Sequence, residues 1–395
     1  MNRPSTVIGY VNAAHFIVHY AMLIFPAALI FLGPALGLGF GQLLPYATPG
    51  FVAFGAGSLA TGWLGDRWSR RHMMVVFFVG IGLSMIAVGL ASTPLQLGAA
   101  LLAVGVFASI YHPVGTAMIV AYAGRLGREI GINGVFGNLG VALSAMATGA
   151  LGEFIGWRAA FVLPGALTVA LGVMFAFAVT REDRSAHRAA TSKARVSRND
   201  MWRVLVALFL AVMASSTAFN AVTVALPKLF AERLSGLTTS PATLGAITAG
   251  VYVFGALAQY TIGGLIDRFG LRWVFLPVSL VLAPSLYVAA GASGPALVVV
   301  SIFVIVAGFG QVTINDAIVG KYTTDRWRSR AYSVRYFLGF TAAGVSVALV
   351  AALHDRGGFT LVLQALAALT ALVIVAGAMF PAERAEEETA AQPAE

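Results

Sequence analysis

The residues Gly62-Trp63-Leu64-Gly65-Asp66-Arg67-Trp68-Ser69-Arg70-Arg71 lie between two long apolar runs. Asp66, Arg67, Arg70 and Arg71 are costly in hydrocarbon, so the stretch reads as a tight loop at a membrane face. An echo follows at an offset of 201: Gly263-Gly264-Leu265-Ile266-Asp267-Arg268-Phe269-Gly270-Leu271-Arg272, again between apolar runs. One Gly-x-x-x-Asp-Arg loop is a weak signal. Two at this spacing predict a duplicated bundle of membrane helices.

The composition agrees. Of 395 residues, 59% are hydrophobic and 10% charged, with a mean hydropathy of +0.85; soluble chains carry about 25% charge. The net charge of +9 is spread over short connections between apolar runs. That pattern sets membrane topology and does not form a nucleic-acid footprint, so no nucleic-acid partner is expected. The absence of cysteine excludes disulfides, thiol nucleophiles and thiolate metal sites. The first apolar run, 7–33, is too long for a signal-peptide core and reads as the first span.

Roughly 20 apolar residues cross the hydrocarbon core. Twelve runs qualify: 7–33, 42–64, 73–92, 96–121, 131–153, 158–179, 204–228, 242–265, 273–292, 296–320, 331–353 and 359–380. They are continuous rather than alternating, which predicts helices and not a barrel. Most Lys and Arg fall on one side, including Arg3, Arg67, Arg70, Arg71, Arg125, Arg128, Arg268, Arg272 and Lys321. That side is expected to be cytoplasmic, with both termini inside a bacterial inner membrane. The expected organisation is a six-helix half over 1–179, a basic linker over 180–203, a second half over 204–381 and an acidic, disordered tail over 382–395.

The paired loops resemble the signature of the major facilitator superfamily, Gly-x-x-x-Asp-Arg-x-Gly-Arg-Arg. Ser69 stands where glycine is usual, and Leu271 where the second copy would have arginine. The resemblance implies an all-α fold of 12 transmembrane helices in two pseudo-symmetric halves. It also implies that helices 1, 4, 7 and 10 line a central cavity. Gly62, Asp66, Arg67, Arg70, Arg71, Asp267 and Arg268 are then expected to form a gating latch, each aspartate binding loop arginines and nearby helix N-termini. Gly134, Gly137 and Gly140, with Ser144 and Thr148, resemble the glycine-rich fifth helix of proton-driven drug exporters, although the Gly-Pro pair is replaced by Leu143-Ser144. His15-Phe16 and Tyr111-His112-Pro113 are similar to stretches of fosmidomycin-resistance-type exporters.

Polar residues within membrane helices should point to a cavity or a packed interface. Asn12, His15, His19, Met22 and Pro26 share one face of helix 1. Helix 7 offers Ser216, Asn220 and Thr223, helix 4 offers Tyr111 and His112, and helix 10 offers Gln311, Asn315 and Asp316. Asp316 and Arg335, on consecutive helices, are expected to pair, because neither charge is stable alone away from water. His15, His19 and His112 admit three readings: neutral cavity residues, proton carriers, or ligands to one metal ion.

The expectation is a monomeric, proton-coupled secondary transporter that exports a small organic compound, anionic or drug-like, by alternating access. The alternative is transport of a transition metal or its chelate by the histidine face. No cofactor is expected, and no Gly-x-x-x-x-Gly-Lys-Ser/Thr loop is present for ATP. Neither a His-Glu-x-x-His nor a Ser/Lys dyad points to an enzyme.

Overall fold

Prolines and glycines decide where this chain bends and how closely its helices approach. The computed structural model describes residues 3–123, 126–180, 198–322 and 325–380, nearly all of them helical. Helix α1 (Pro4–Leu36) leads through two short turns, Phe40–Leu43 and Leu44–Ala47, into α2 (Thr48–Arg67). Then come α3 (Arg70–Leu90), α4 in two segments (Pro94–Ala108 and Tyr111–Tyr122), α5 (Leu126–Phe154) and α6 (Ala159–Ala178). After the linker come α7 (Arg198–Arg233), α8 (Pro241–Phe269), α9 (Leu271–Gly291) and α10 (Gly294–Tyr322). The last helical run, Asp325–Met379, loses helical geometry at Gly357 and Gly358; its arms are α11 and α12.

Among the described residues, ten stretches are long and apolar enough to cross a membrane. Thr48–Arg67 is not one of them, and the run through α11 and α12 counts once. The expected start of the second span at 42 moves to Thr48, because 40–47 forms the short turns around Pro45. The acidic tail and residues 181–197 of the expected linker lie outside the described residues, while 198–203, expected in the linker, are the start of α7.

A proline within a helix removes an N–H and frees the carbonyl four residues earlier. Pro113 frees Ser109 and breaks α4, and the Ser109 carbonyl instead accepts the Thr61 hydroxyl of α2 at 2.9 Å. Pro227 frees Thr223 in α7, whose carbonyl accepts the Tyr252 hydroxyl of α8 at 3.0 Å. Each break therefore ties two helices together instead of leaving an orphaned group in lipid.

Helix α5 packs on α8, and α2 on α11. Glycine allows the approach: a methyl at Gly149 or Gly245 would strike the opposing backbone at Pro241 or Ala145, and one at Gly55 would strike Phe340 and Thr341. Nearer the signature loops, Asn138 of α5 donates to the Gln259 side chain of α8 at 2.6 Å. Beyond it, Gly131, Gly134, Gly263 and Gly264 have nothing within 4 Å of a built Cβ. The α5–α8 pair is thus closed, backbone against backbone, at the end opposite the signature loops, and has open space beside these glycines at the loop end.

Candidate functional site

Three imidazoles meet where α1 faces α4. His15 and His19 are one turn apart, and the Pro113 break places His112 in the first turn of the second α4 segment. Ring centroids lie 5.0 Å (His15–His19), 5.5 Å (His15–His112) and 5.5 Å (His19–His112) apart. One nitrogen from each ring lies within 4.8 Å of the others.

Asn133 of α5 organises this cluster. Its carbonyl lies 2.7 Å from His15 Nδ1, and because a carbonyl only accepts, Nδ1 carries the proton and Nε2 keeps its lone pair. Its side chain donates to Asn12 Oδ1 at 2.9 Å and accepts from the Tyr111 hydroxyl at 3.1 Å. Asn12, Tyr111 and Asn133 are all buried. The Tyr111 ring stacks on His15, centroids 4.9 Å apart. Gly137, one turn after Asn133, makes room for the imidazole: a methyl there would sit 2.6 Å from His15 Nε2.

Asp316 and Arg335 form the second feature. Arg335 Nε lies 3.1 Å from Asp316 Oδ1, and the guanidinium also donates to the Val312 carbonyl at 3.2 Å. The two side chains differ in access: Arg335 is 10% exposed and Asp316 34%. Arg335 lies over the Tyr336 ring, and Tyr336 and Phe340 of α11 pack on His112.

The other polar candidates separate into two groups. Ser216 and Asn220 are half-buried on α7, Asn220 donating to the Ser216 carbonyl at 2.7 Å. Gln311 and Asn315 are fully enclosed and hold helices together, Gln311 donating to Ser279 of α9 and Asn315 to Ser215 of α7. Thr223 is buried and donates to its own helix at Phe219. Asn133, Tyr336, Phe340 and Phe54, whose ring centroid lies 5.7 Å from that of His112, escaped the sequence reading as site residues. Asn133 had one signal, its match to Arg335 at an offset of 202; the aromatics had none among 26 Phe and 11 Tyr.

At the signature loops, the side chains of Asp66 and Asp267 lie outside the described residues, as does any latch they form. Arg67 covers Trp63, and Arg268 covers Phe269. Arg71 donates to the carbonyls of Ala176 and Val179, the open C-terminus of α6. Ser69 has extended backbone, φ −167°, and its hydroxyl caps the His72 N–H at 3.2 Å, so serine serves where the signature has glycine. Gly270 has φ 80° and ψ 159°, a conformation essentially restricted to glycine.

The family model described as Major Facilitator Superfamily matches residues 11–238 and again 208–395. The chain belongs to this superfamily. Its members are transporters and not enzymes, and this chain is a multi-pass membrane protein. Among solved structures, a bacterial homolog to the human lysosomal transporter Spinster, inward-facing and occupied, matches with a TM-score of 0.76 at 14% identity, over 96% of each chain. A POT family transporter in complex with a thioalcohol-conjugated peptide matches at 0.70 and 13% identity, over 94% of each. At such identities both speak to the superfamily fold alone. Among curated relatives, the puromycin resistance protein pur8 of Streptomyces alboniger is 33% identical over 27% of this chain and 22% of its own length. The 4-hydroxybenzoate transporter PcaK of Pseudomonas aeruginosa is 26% identical over 40% of this chain and 37% of its own. Both matches span well under half of the relatives' length.

Proposed function

We propose that this chain is a proton-driven exporter of a small, drug-like organic compound. It would work as a monomer by alternating access between halves 1–179 and 204–381, with twelve crossings of a bacterial inner membrane. The termini and the linker 180–203 would be cytoplasmic. The names of the two curated relatives support an organic cargo.

The Asp316–Arg335 pair carries the reading, because it puts one titratable carboxylate at the wall where α10 and α11 meet. The sign of coupling follows from which partner the cargo replaces. A cargo that donates to ionised Asp316 is expelled when a proton arrives, so the two occupy the site in turn, and transport is antiport. An anionic cargo that took Arg335 would leave Asp316 to bind a proton alongside it, which is symport. Asp316 is the more exposed side chain of the two, 34% against 10%, which supports antiport.

A thermal-shift screen of purified protein identifies a cargo, and proteoliposomes holding a pH dye then read the sign. Cargo leaving the vesicles should drive protons in, and Asp316→Asn should abolish gradient-driven transport while sparing counterflow exchange. Protons travelling with the cargo, or full gradient-driven transport by Asp316→Asn, would overturn the proposal. Labelling of a cysteine at Ser192 by an impermeant maleimide on intact cells would reverse the orientation.

A further inference from the structure

We infer that His15, His19 and His112 form a binding site for a borderline divalent transition-metal ion of the Zn²⁺, Co²⁺ and Ni²⁺ class. The site is separate from the ion pair on which the proposed coupling rests, and it stands or falls independently of that coupling.

The donor set fits the ion. Two histidines at i and i+4 on one helix face are a recurrent pair of zinc ligands, and α1 presents His15 and His19 in that register. The third comes from α4, and the three nitrogens lie within 4.8 Å of one another. Zinc bonds imidazole at about 2.0–2.1 Å in tetrahedral geometry, which puts ligand nitrogens about 3.3 Å apart. The rings must therefore close by at most roughly 1.5 Å, a side-chain rotation.

Two further observations point to a ligand. His112 Nε2 is buried and has no hydrogen-bond partner, a state that costs about 1–3 kcal/mol unless something occupies it. His15 is oriented as metal-bound histidines are, with the other ring nitrogen donating to a backbone carbonyl, here Asn133 at 2.7 Å. Gly137 lets the His15 ring pack directly against α5 in this orientation, since a methyl there would lie 2.6 Å from Nε2. Three protein ligands leave the fourth position open to water or a small anion, as in exchangeable rather than closed structural sites. An all-nitrogen set discriminates against Mg²⁺ and Ca²⁺, which require oxygen. Arg335, the cation beyond Tyr336, is neutralised by Asp316.

The test uses the purified full chain without a histidine tag, and the metals alone as probes. Calorimetry should show one site for Zn²⁺, Ni²⁺ and Co²⁺ and none for Mg²⁺, and bound Co²⁺ should give a tetrahedral visible spectrum. His19→Gln and His112→Gln should each weaken binding by at least the roughly 10–100-fold that loss of an outer-shell partner costs. Gly137→Ala, which displaces the His15 ring and removes no donor, should weaken it too. If a histidine variant fails to fold, X-ray absorption on the wild-type Co²⁺ complex decides by counting imidazole ligands. No binding of any of the three ions, undiminished binding in the His15/His19/His112→Gln triple variant, or an oxygen-only shell overturns the site. Organic-cargo counterflow, measured in parallel, reports on the transport proposal separately.

Discussion

Tyr336 of α11 stacks on His112 of α4, ring centroids 5.9 Å apart and planes 19° from parallel, while the Arg335 guanidinium lies 4.7 Å from the centroid of the same tyrosine. One aromatic ring thus links the histidine cluster to the Asp316–Arg335 pair. The link joins helices from distant parts of the sequence, and any motion that parts α4 from α11 must break it.

Removing one partner of a buried ion pair costs roughly 3–5 kcal/mol, because the survivor is left uncompensated. Since Asp316 retains some solvent access, Asp316→Ala and Arg335→Ala should each fall at the lower end of that range in thermal unfolding of the purified protein. The double variant should recover part of the loss. Strictly additive losses would show that the 3.1 Å contact contributes no coupling.

Asn133 serves Asn12, Tyr111 and His15 at once. Asn133→Ala removes the side-chain partner of Asn12 and Tyr111 in a buried site, where an orphaned polar group costs about 1–3 kcal/mol. Asn133→Asp retains an acceptor for Tyr111 and should be milder, provided the new carboxyl is protonated. Equal unfolding temperatures for wild type and Asn133→Ala would mean that water replaces the network.

Gly245 lies against the α5 backbone at Ala145. A valine there forces α5 and α8 apart at the closed end, at an overpacking cost of about 1–3 kcal/mol, and about 1.4 kcal/mol is a tenfold change in a two-state ratio. Because the chain has no native cysteine, a cysteine at Asn220 can report access. In Gly245→Val its labelling from the end opposite the signature loops should rise about tenfold. Unchanged labelling in a folded variant would show that this contact does not hold the closed end.

The two signature loops should differ in how well they tolerate substitution. Ser69→Gly loses a helix cap but should cost only a few tenths of a kcal/mol, whereas Ser69→Ala should cost about 1 kcal/mol. Gly270→Ala forces a side chain into a backbone region that only glycine occupies easily, at roughly 1–3 kcal/mol. Unfolding temperatures of the three variants check the order, and a Gly270→Ala variant as stable as Ser69→Gly would contradict it.

Much of the architecture was legible because membrane helices declare themselves by length and apolarity, and the repeated Gly-x-x-x-Asp-Arg loops gave the family. Part of the site was legible as well: polar residues are rare in such helices, so His15, His19, His112, Asp316 and Arg335 stood out. Orientation was harder to read. Gln311 and Asn315 look like cavity residues in the sequence, yet each finds a buried serine hydroxyl on a neighbouring helix, and no periodicity reveals which neighbour carries it. Tyr336 and Phe340 were invisible because an aromatic ring that faces lipid and one that faces histidine are written alike. The break at Pro113 was visible, but its rescue by Thr61, fifty-two residues earlier, exists only in three dimensions.

The Asp316–Arg335 pair also has an electrical consequence. While both groups are ionised their charges cancel, so a carrier that reorients with the pair intact displaces no net charge and passes no current. A proton on Asp316 leaves Arg335 uncancelled, and each elementary charge moved through 100 mV is worth about 2.3 kcal/mol. In the proposed cycle, voltage would therefore act on one limb only. In the proposed antiport cycle with a neutral cargo, the outward stroke would be silent, and an inside-negative membrane would pull the proton-loaded carrier home.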